Sequence, residues 1–273
     1  GNKRPRRHTL LFDTGPSHAA WIHNACALGV RLTKIDLVVL SHWCRNHAGG
    51  IKRVSERIAR GYGWPAPVAL PPALIMDVPA RCPRPRGKRT PPDTPASFQP
   101  TPTIPDFING GRGARADRHD DDHLVMSQCF MVSGEIPRNV DYEGRPEDTM
   151  QVIQEDGRFT KRPDWIQEER FVACIVKGKG LVVFAPCSHA GIVNTVEHAM
   201  TATGLSSVYA IAGGFHLRDA SYLIVDQTIK RLKGYGVEIV IAGHCTGKHA
   251  IDRLQDEFGD RLWQSFVGAE FTI

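Results

Sequence analysis

The sequence predicts a layered α/β fold on the basis of two observations. Apolar runs of strand length alternate with segments of helical length along both halves of the chain. Several of these runs end in turns that contain glycine and histidine, at the position where α/β proteins build their sites. With 273 residues, the chain can bury a full core as one domain or as a fused pair of similar halves. We expect a single domain over residues 1–273.

The first half of the chain predicts two strand–helix pairs. A strand at 10–13 is followed by a helix at 18–28, for which Ser17 is the expected N-cap. An apolar run at 35–40 predicts a buried strand, and a helix at 50–60 follows it.

The second half restarts at 129–135 and predicts a longer alternation. Two strands at 171–176 and 181–184 form a hairpin, because Lys177-Gly178-Lys179-Gly180 supplies a tight turn between two apolar runs. The remaining predicted elements are a helix from 190, a strand at 207–212, a helix at 222–232, a strand at 237–242, a helix at 248–258 and a terminal strand ending at 273.

A segment rich in proline and arginine, residues 77–125, interrupts this pattern. Its composition cannot bury enough apolar surface to order a backbone. We therefore expect an insertion that is either disordered or a lid over a site. The run of charges at 119–123 is interpreted as a solvated patch rather than a metal cluster.

Composition argues against several classes of partner. The net charge is +5, but the basic blocks at 3–7 and 81–89 are not interleaved with aromatic residues, so nucleic acid is not an expected partner. No apolar run approaches the ~20 residues that span a bilayer, so no membrane is expected either. Seven scattered cysteines without a Cys-x-x-Cys pair indicate reduced thiols and a cytoplasmic protein.

The segment from Ser41 to Gly50 carries the strongest chemical signal. It follows the predicted strand at 35–40, and four side chains that can bind a metal fall within six residues: His42, Cys44, Asn46 and His47. A strand that ends in such a cluster projects several donors into one pocket.

Three later strand ends also carry histidine beside glycine. These are His189, His216 and His244. A lone histidine after a strand is usually structural, but five histidines at the ends of four strands indicate a shared site. The neighbouring Cys187 and Cys245 are interpreted as small packing residues, and no chemistry is assigned to the acidic pair at 168–169.

The motif His42-x-Cys44-x-Asn46-His47 resembles the His-x-His-x-Asp-His motif of the metallo-β-lactamase superfamily. Further segments resemble the branch of the archaeal 7,8-dihydropterin-6-methyl-4-(β-D-ribofuranosyl)-aminobenzene-5′-phosphate synthase. They include Phe12-Asp13-Thr14-Gly15, Cys187-Ser188-His189-Ala190-Gly191-Ile192, Gly213-Gly214-Phe215-His216-Leu217 and Gly243-His244-Cys245-Thr246-Gly247. The resemblance implies a four-layer αββα sandwich, and we expect an earlier strand or two of that fold to be absent from this sequence.

The resemblance also implies two metal positions. Their ligands come from the first motif and the later strand ends: His42, Cys44 and His189 for one metal, and Asn46, His47 and His244 for the other. His216 would lie nearby as a further ligand or substrate contact. Asp13 would support the loop by hydrogen bonding rather than bind metal.

Two residues depart from the family motif. Cys44 stands where histidine is expected; zinc accepts thiolate, but the added charge makes the metal a weaker Lewis acid. Asn46 stands where aspartate is expected, and its amide is a poor ligand that cannot accept a proton. We therefore predict one zinc ion rather than two, with other divalent metals as alternatives.

The resemblance implies a divergent metal-dependent hydrolase in which a zinc-bound water attacks an ester, a phosphoester or a related small molecule. Asn46 and His216 are the expected catalytic positions, with His216 or His244 as proton donor. Arg138, Lys248 and Arg45 are candidates to bind an anionic group. The alternative is a catalytically silent protein of the same fold that keeps a structural metal and acts as a binding protein. A nuclease of the same fold is the third and least favoured hypothesis.

Overall fold

The computed structural model describes residues 7–60, 74–81, 86–88, 114–144, 149–155 and 158–273. The chain divides into two compact units. The N-terminal unit comprises residues 1–83 and 99–119, and the C-terminal unit comprises 84–98 and 120–273. Among the described residues, no helix is both long enough and apolar enough to cross a membrane.

The N-terminal unit contains a four-stranded parallel sheet of order β1-β2-β3-β5. Its strands are Leu10–Phe12 (β1), Leu37–Val39 (β2), Leu74–Pro79 (β3) and Ala114–His119 (β5), and its helices are His18–Ala27 (α1), Arg45–Ala48 (α2) and Ile51–Arg60 (α3). The central strand β2 is wholly buried, as expected for a parallel strand covered on both faces. It packs in an apolar core with α3, to which Val38 and Val54 contribute.

The C-terminal unit contains a seven-stranded mixed sheet of order β14-β13-β12-β11-β10-β7-β6. These strands are His123–Val125 (β6), Phe130–Val132 (β7), Val172–Val176 (β10), Gly180–Ala185 (β11), Val208–Gly214 (β12), Ile239–Gly243 (β13) and Leu262–Gln264 (β14). Strands β11 to β14 run parallel, whereas β10, β7 and β6 pair antiparallel. The helices are Ile192–Thr203 (α4), Tyr222–Gly234 (α5) and Lys248–Phe258 (α6).

A third, smaller sheet pairs Arg86–Lys88 (β4), Thr149–Glu155 (β8) and Arg158–Pro163 (β9) in antiparallel fashion. The sequence did not predict the β8–β9 hairpin, because its strands carry several charged and polar residues and lack a simple apolar alternation.

Most predicted elements are confirmed, including the helix at 248–258 and the β10–β11 hairpin. The terminal strand predicted to end at 273 is wrong. The last strand is Leu262–Gln264, and the apolar Phe266 and Val267 beyond it are 73% and 76% exposed. Side chains this exposed gain little from burial, so the segment after Gln264 has no apolar face that would hold it in the sheet.

Parts of the predicted insertion at 77–125 form regular strands. Residues 77–79 complete β3, and 114–119 form β5, which pairs with β3 along its whole length. Residues 123–125 form β6 at the edge of the C-terminal sheet. Apart from these segments, residues 80–81, 86–88 and 120–122, the predicted insertion lies outside the described residues.

The start of α4 depends on a carboxylate supplied by a distant loop. Glu143 accepts hydrogen bonds from the backbone N–H groups of Val193 and Asn194, at 3.0 and 3.1 Å. Such bonds satisfy donors that have no partner inside a helix. Burial nevertheless raises the pKa of Glu143 to about 7 from an ordinary value of 4.5, and the helix N–H groups oppose this shift.

Glu143 makes the stability of the C-terminal unit depend on pH. Between pH 4.5 and about 7 the folded protein keeps a proton that the unfolded chain releases, so the free energy of unfolding falls as pH rises. The loss across this window is on the order of 3 kcal/mol. We expect Glu143→Gln to flatten this part of the profile, measured by urea unfolding at pH 5, 6, 7 and 8.

Glu238→Gln, which changes an exposed glutamate, serves as the control and should keep the wild-type slope. An unchanged pH dependence in Glu143→Gln would show that the proton resides elsewhere.

Candidate functional site

The loop after β2 gathers a first set of donors, defined here as the N-terminal donor group: His42, Cys44 and His47. His42 is fully buried, His47 is 7% exposed, and their ring centroids lie 4.2 Å apart at an angle of 44°. Cys44 is partly exposed and occupies the N-cap position of α2. The turn from β2 into the short helix α2 therefore holds two imidazoles side by side.

Asp13 ties this loop to the end of β1. One carboxylate oxygen accepts the backbone N–H of Ser41 at 2.8 Å. The other accepts the Ser41 hydroxyl at 2.7 Å and Nδ1 of His47 at 2.6 Å. Asp13 itself has φ +63°, a conformation that aspartate and asparagine tolerate better than most residues.

These contacts determine the tautomers of both buried histidines. A carboxylate only accepts, so His47 must donate its Nδ1–H to Asp13. The single hydroxyl proton of Ser41 also goes to Asp13, so His42 must donate its Nδ1–H to the Ser41 oxygen, 2.8 Å away. Both rings therefore carry their lone pair on Nε2, which is the arrangement that second-layer hydrogen bonds impose on metal-binding histidines.

Close backbone packing explains the two glycines after the motif. A Cβ added at Gly49 would lie 2.3 Å from the carbonyl oxygen of Pro16, and one at Gly50 would lie 2.7 Å from that of Thr14. Thr14 in turn donates both its N–H and its hydroxyl to the carbonyl of His47, at 3.0 and 3.1 Å. The loop after β1 thus fixes the position of His47 through main-chain contacts.

The C-terminal unit gathers a second set, defined here as the C-terminal donor group: Cys187, His189, His216, His244 and Cys245. These residues follow β11, β12 and β13, which are adjacent and parallel. The strands end together, with Ala185 opposite Gly213 and Gly214 opposite Gly243. Parallel strands that end in register bring their following loops to one edge of the sheet.

Several of these side chains are within reach of one another. The ligand atoms of Cys187, His189 and His216 all lie within 4.8 Å of each other. The rings of His189 and His216 have centroids 4.7 Å apart. Cys187 and Cys245 place their sulfur atoms 3.2 Å apart, whereas His244 is exposed at the rim.

The three loops share an unusual backbone conformation. Ser188, His216 and His244 have φ of +61°, +53° and +53°. Non-glycine residues in this region are strained, and such strain concentrates at functional loops. The hydroxyl of Ser188 donates to the carbonyl of Gly214 at 2.6 Å, which holds the first loop against the end of β12.

Glu169 is a site residue that sequence reasoning missed. It is only 1% exposed, and its carboxylate accepts the backbone N–H of Ala190 at 3.0 Å. The contact holds the loop that carries His189. Its place in the acidic pair before β10 was the only sequence signal, and that signal did not distinguish it from a surface carboxylate.

The remaining predicted site residues lie in diverse surroundings. Asn46 and its neighbour Arg45 are both exposed on α2. Arg138 donates to the carbonyl of Trp165 and lies over its ring, and burial lowers the pKa of this guanidinium. Lys248 is exposed and pairs with Asp252 at 2.7 Å.

A cavity of about 520 Å³ lies beside His244. Its lining includes two cationic side chains, Arg218 and Lys248, the Asp252 carboxylate that pairs with Lys248, and the polar Gln264 and Ser265. Arg218 also lies 3.4 Å from the carbonyl oxygen of His244 through its guanidinium. The cavity therefore combines positive charge with hydrogen-bonding groups next to a candidate ligand.

Comparisons with known proteins place the chain in a family. It is 30% identical to the 7,8-dihydropterin-6-methyl-4-(β-D-ribofuranosyl)-aminobenzene-5′-phosphate synthase of Methanocaldococcus jannaschii, over 95% of this chain and 82% of that protein. A scan against family profiles finds no match.

Two solved structures share the fold. Tm1679, a metal-dependent hydrolase of the β-lactamase superfamily, has a TM-score of 0.74 at 20% identity and matches 100% of this chain and 94% of its own. The metallo-β-lactamase fold protein YhfI from Bacillus subtilis has a TM-score of 0.52 at 11% identity, over 98% and 93%. These matches confirm the predicted fold class and the predicted resemblance.

The role of Asp13 can be tested without disturbing its backbone. Asn tolerates positive φ, so Asp13→Asn should keep the turn while removing the carboxylate that orients His42 and His47. We expect zinc affinity to fall by roughly ten- to a hundredfold, measured by competition with a chromophoric chelator. Asp36→Asn is the matched control, because Asp36 is exposed and accepts only the N–H of Thr9 among its described hydrogen bonds. Equal affinity in the two variants would contradict the role given to Asp13.

Proposed function

Because the chain belongs to the metallo-β-lactamase-fold family of the archaeal dihydropterin phosphate synthase, we propose that it is a divergent metal-dependent hydrolase. Its substrate is a small ester, phosphoester or related molecule. The proposed cofactor is one zinc ion, bound by His42, Cys44 and His189. This assignment rests on the motif and on family membership, and the orientation of His42 by Asp13 and Ser41 supports it.

The chemistry of the donors fits zinc. The two donor groups consist of imidazoles and thiols, which zinc accepts readily and which manganese accepts poorly. The buried histidines have the tautomer that binds through Nε2. The second position, Asn46 with His47 and His244, lacks a carboxylate to compensate a second divalent charge, which favours occupancy by a single ion.

A bound divalent cation supplies Lewis acidity and lowers the pKa of a coordinated water toward ~7. The chain's own residues then have distinct tasks. His216 is the proposed proton donor to the leaving group. Asn46, at the position where the family motif has aspartate, can orient a polar group but cannot take up a proton, so we propose a slow enzyme.

The cavity beside His244 supports an anionic substrate. Arg218 and Lys248 contribute two positive charges to its lining against the one negative charge of Asp252, and Lys248 was a predicted substrate contact. The archaeal relative is named as the synthase of a 5′-phosphate compound. We therefore favour a phosphorylated small molecule as substrate, bound through these two cations. Arg138, the other predicted contact, is engaged with Trp165 and is a weaker candidate.

A catalytically silent binding protein is the second candidate. The specific observation in its favour is the pair of replacements at Cys44 and Asn46, which weaken the two metal positions. In this alternative the metal, where bound, is structural, and the cavity beside His244 binds a small anion without turnover. For either candidate we propose the cytoplasm, since the six cysteines within the described residues form no disulfide.

Restoring the family motif separates these two candidates. We expect the double variant Cys44→His with Asn46→Asp to raise zinc affinity and hydrolytic rate by at least about tenfold, because it restores the histidine and the carboxylate of the family motif. The measurements are metal content after purification without chelator and rates on carboxylic esters, phosphomonoesters and phosphodiesters.

Adding His42→Ala to the double variant is the control, and it should abolish both gains. A double variant that binds no metal would overturn the proposal. One that binds zinc tightly but hydrolyses nothing would favour the binding protein.

A further inference from the structure

We propose that the C-terminal donor group contains a second cation site, distinct from the ligand sets implied by the family. Its ligands are Cys187, His189 and His216, with Cys245 as the adjoining thiol. The cation it would take is soft and thiophilic, such as Cd²⁺, Cu⁺ or zinc itself. All four residues belong to the C-terminal unit, so the site needs no residue of the N-terminal donor group.

The sheet creates the space in which the two thiols meet. Cys187 follows β11 and Cys245 follows β13, and β12 lies between these strands. At the end of β12, a Cβ added to Gly214 would lie 2.8 Å from the sulfur of Cys245 and 3.0 Å from the carbonyl oxygen of Pro186. A side chain at this position would push the two loops apart. Its absence lets sulfur atoms from non-adjacent strands approach each other.

Hydrogen bonds hold Cys245 beside Cys187. The thiol of Cys245 donates to the backbone carbonyl of Cys187 at 3.1 Å, and its sulfur accepts the backbone N–H of His216 at 3.3 Å. The sulfur atoms are 3.2 Å apart. Cys245 is therefore fixed to both neighbouring loops, and each loop carries one of the histidines.

The spacing of three of the donors, Cys187, His189 and His216, comes close to what a tetrahedral ion requires. Bonds of about 2.3 Å to sulfur and 2.0–2.1 Å to nitrogen place tetrahedral ligand atoms roughly 3.3–3.8 Å apart. The donor atoms of Cys187, His189 and His216 lie within 4.8 Å of one another, so small rotations of the side chains suffice. With Cys245 as the fourth ligand, the set has two sulfur and two nitrogen donors, which is the composition of closed structural zinc sites.

Occupancy of this site would affect the proposed hydrolytic centre. His189 is shared between the two ligand sets, and His216 would no longer be available as a proton donor. A closed site leaves no position for water. We therefore expect a soft cation in excess of one equivalent to inhibit any hydrolysis rather than support it.

Cadmium binding tests the site through its thiolate-to-metal charge-transfer absorption, which requires no enzymatic activity. We expect the wild-type protein to develop the band and the triple variant Cys44→Ser, Cys187→Ser, Cys245→Ser to lose it, because the Cys44 thiolate of the proposed zinc set would also give this absorption. Cys44→Ser tests the ligand set that the family implies and should keep the band. Cys174→Ser, a partly buried thiol on β10, is the matched control and should also keep it.

A second measurement uses only the wild-type protein, so it does not depend on how the variants fold. Cadmium should slow the alkylation of the partly exposed Cys245 relative to the cadmium-free protein, read by mass spectrometry, while the exposed Cys26 and Cys129 react equally with and without cadmium. Persistence of the band in the triple variant, its loss in Cys44→Ser, or alkylation of Cys245 at the same rate with and without cadmium would overturn this site. The hydrolase proposal would stand after each of these results, and loss of the band in Cys44→Ser would support its ligand set.

Discussion

The hydrogen bonds of the Asp13 carboxylate are the interaction on which the N-terminal donor group depends. This carboxylate accepts three hydrogen bonds from Ser41 and His47, and through the Ser41 hydroxyl it also determines the proton position on His42. Hydrogen bonds to a charged group contribute roughly 1.5–3 kcal/mol each, so this one side chain supplies much of the free energy that orders the loop. Two segments 28 residues apart in sequence are thereby joined at the end of a parallel sheet.

A different constraint organises the C-terminal unit. Three parallel strands end in register, and the glycines at the end of β12 let the flanking backbones come close: a Cβ at Gly213 would lie 1.7 Å from the carbonyl oxygen of Ala185. The missing side chains of these glycines therefore allow the side chains of the neighbouring loops to meet. The loops after β11 and β13 converge because the strand between them ends in glycines. The Glu169 carboxylate holds the first of these loops by accepting the N–H of Ala190.

Much of this arrangement could be predicted from the sequence, because apolar runs ending in glycine and histidine are typical of parallel strands. That logic correctly placed His189, His216 and His244 after three strands. It could not predict that the sulfur atoms of Cys187 and Cys245 lie 3.2 Å apart, since periodicity along one strand says nothing about which side chains meet across a neighbouring strand. Glu169 was missed for the same reason: its partner, the N–H of Ala190, is 21 residues away. The terminal strand shows the opposite failure: it was predicted to end at residue 273, but the last strand of the sheet ends at Gln264.

The positive φ angles of Ser188, His216 and His244 have a consequence for how the protein comes apart. Each costs on the order of 1–3 kcal/mol and persists only while the surrounding sheet enforces it. The loops at this edge are therefore strained, and releasing this strain favours their local opening. On denaturation, we expect these loops to open first, so that the side chains of the C-terminal donor group separate before the sheet unfolds. Loss of function on ageing or mild heating would then leave the secondary structure nearly intact.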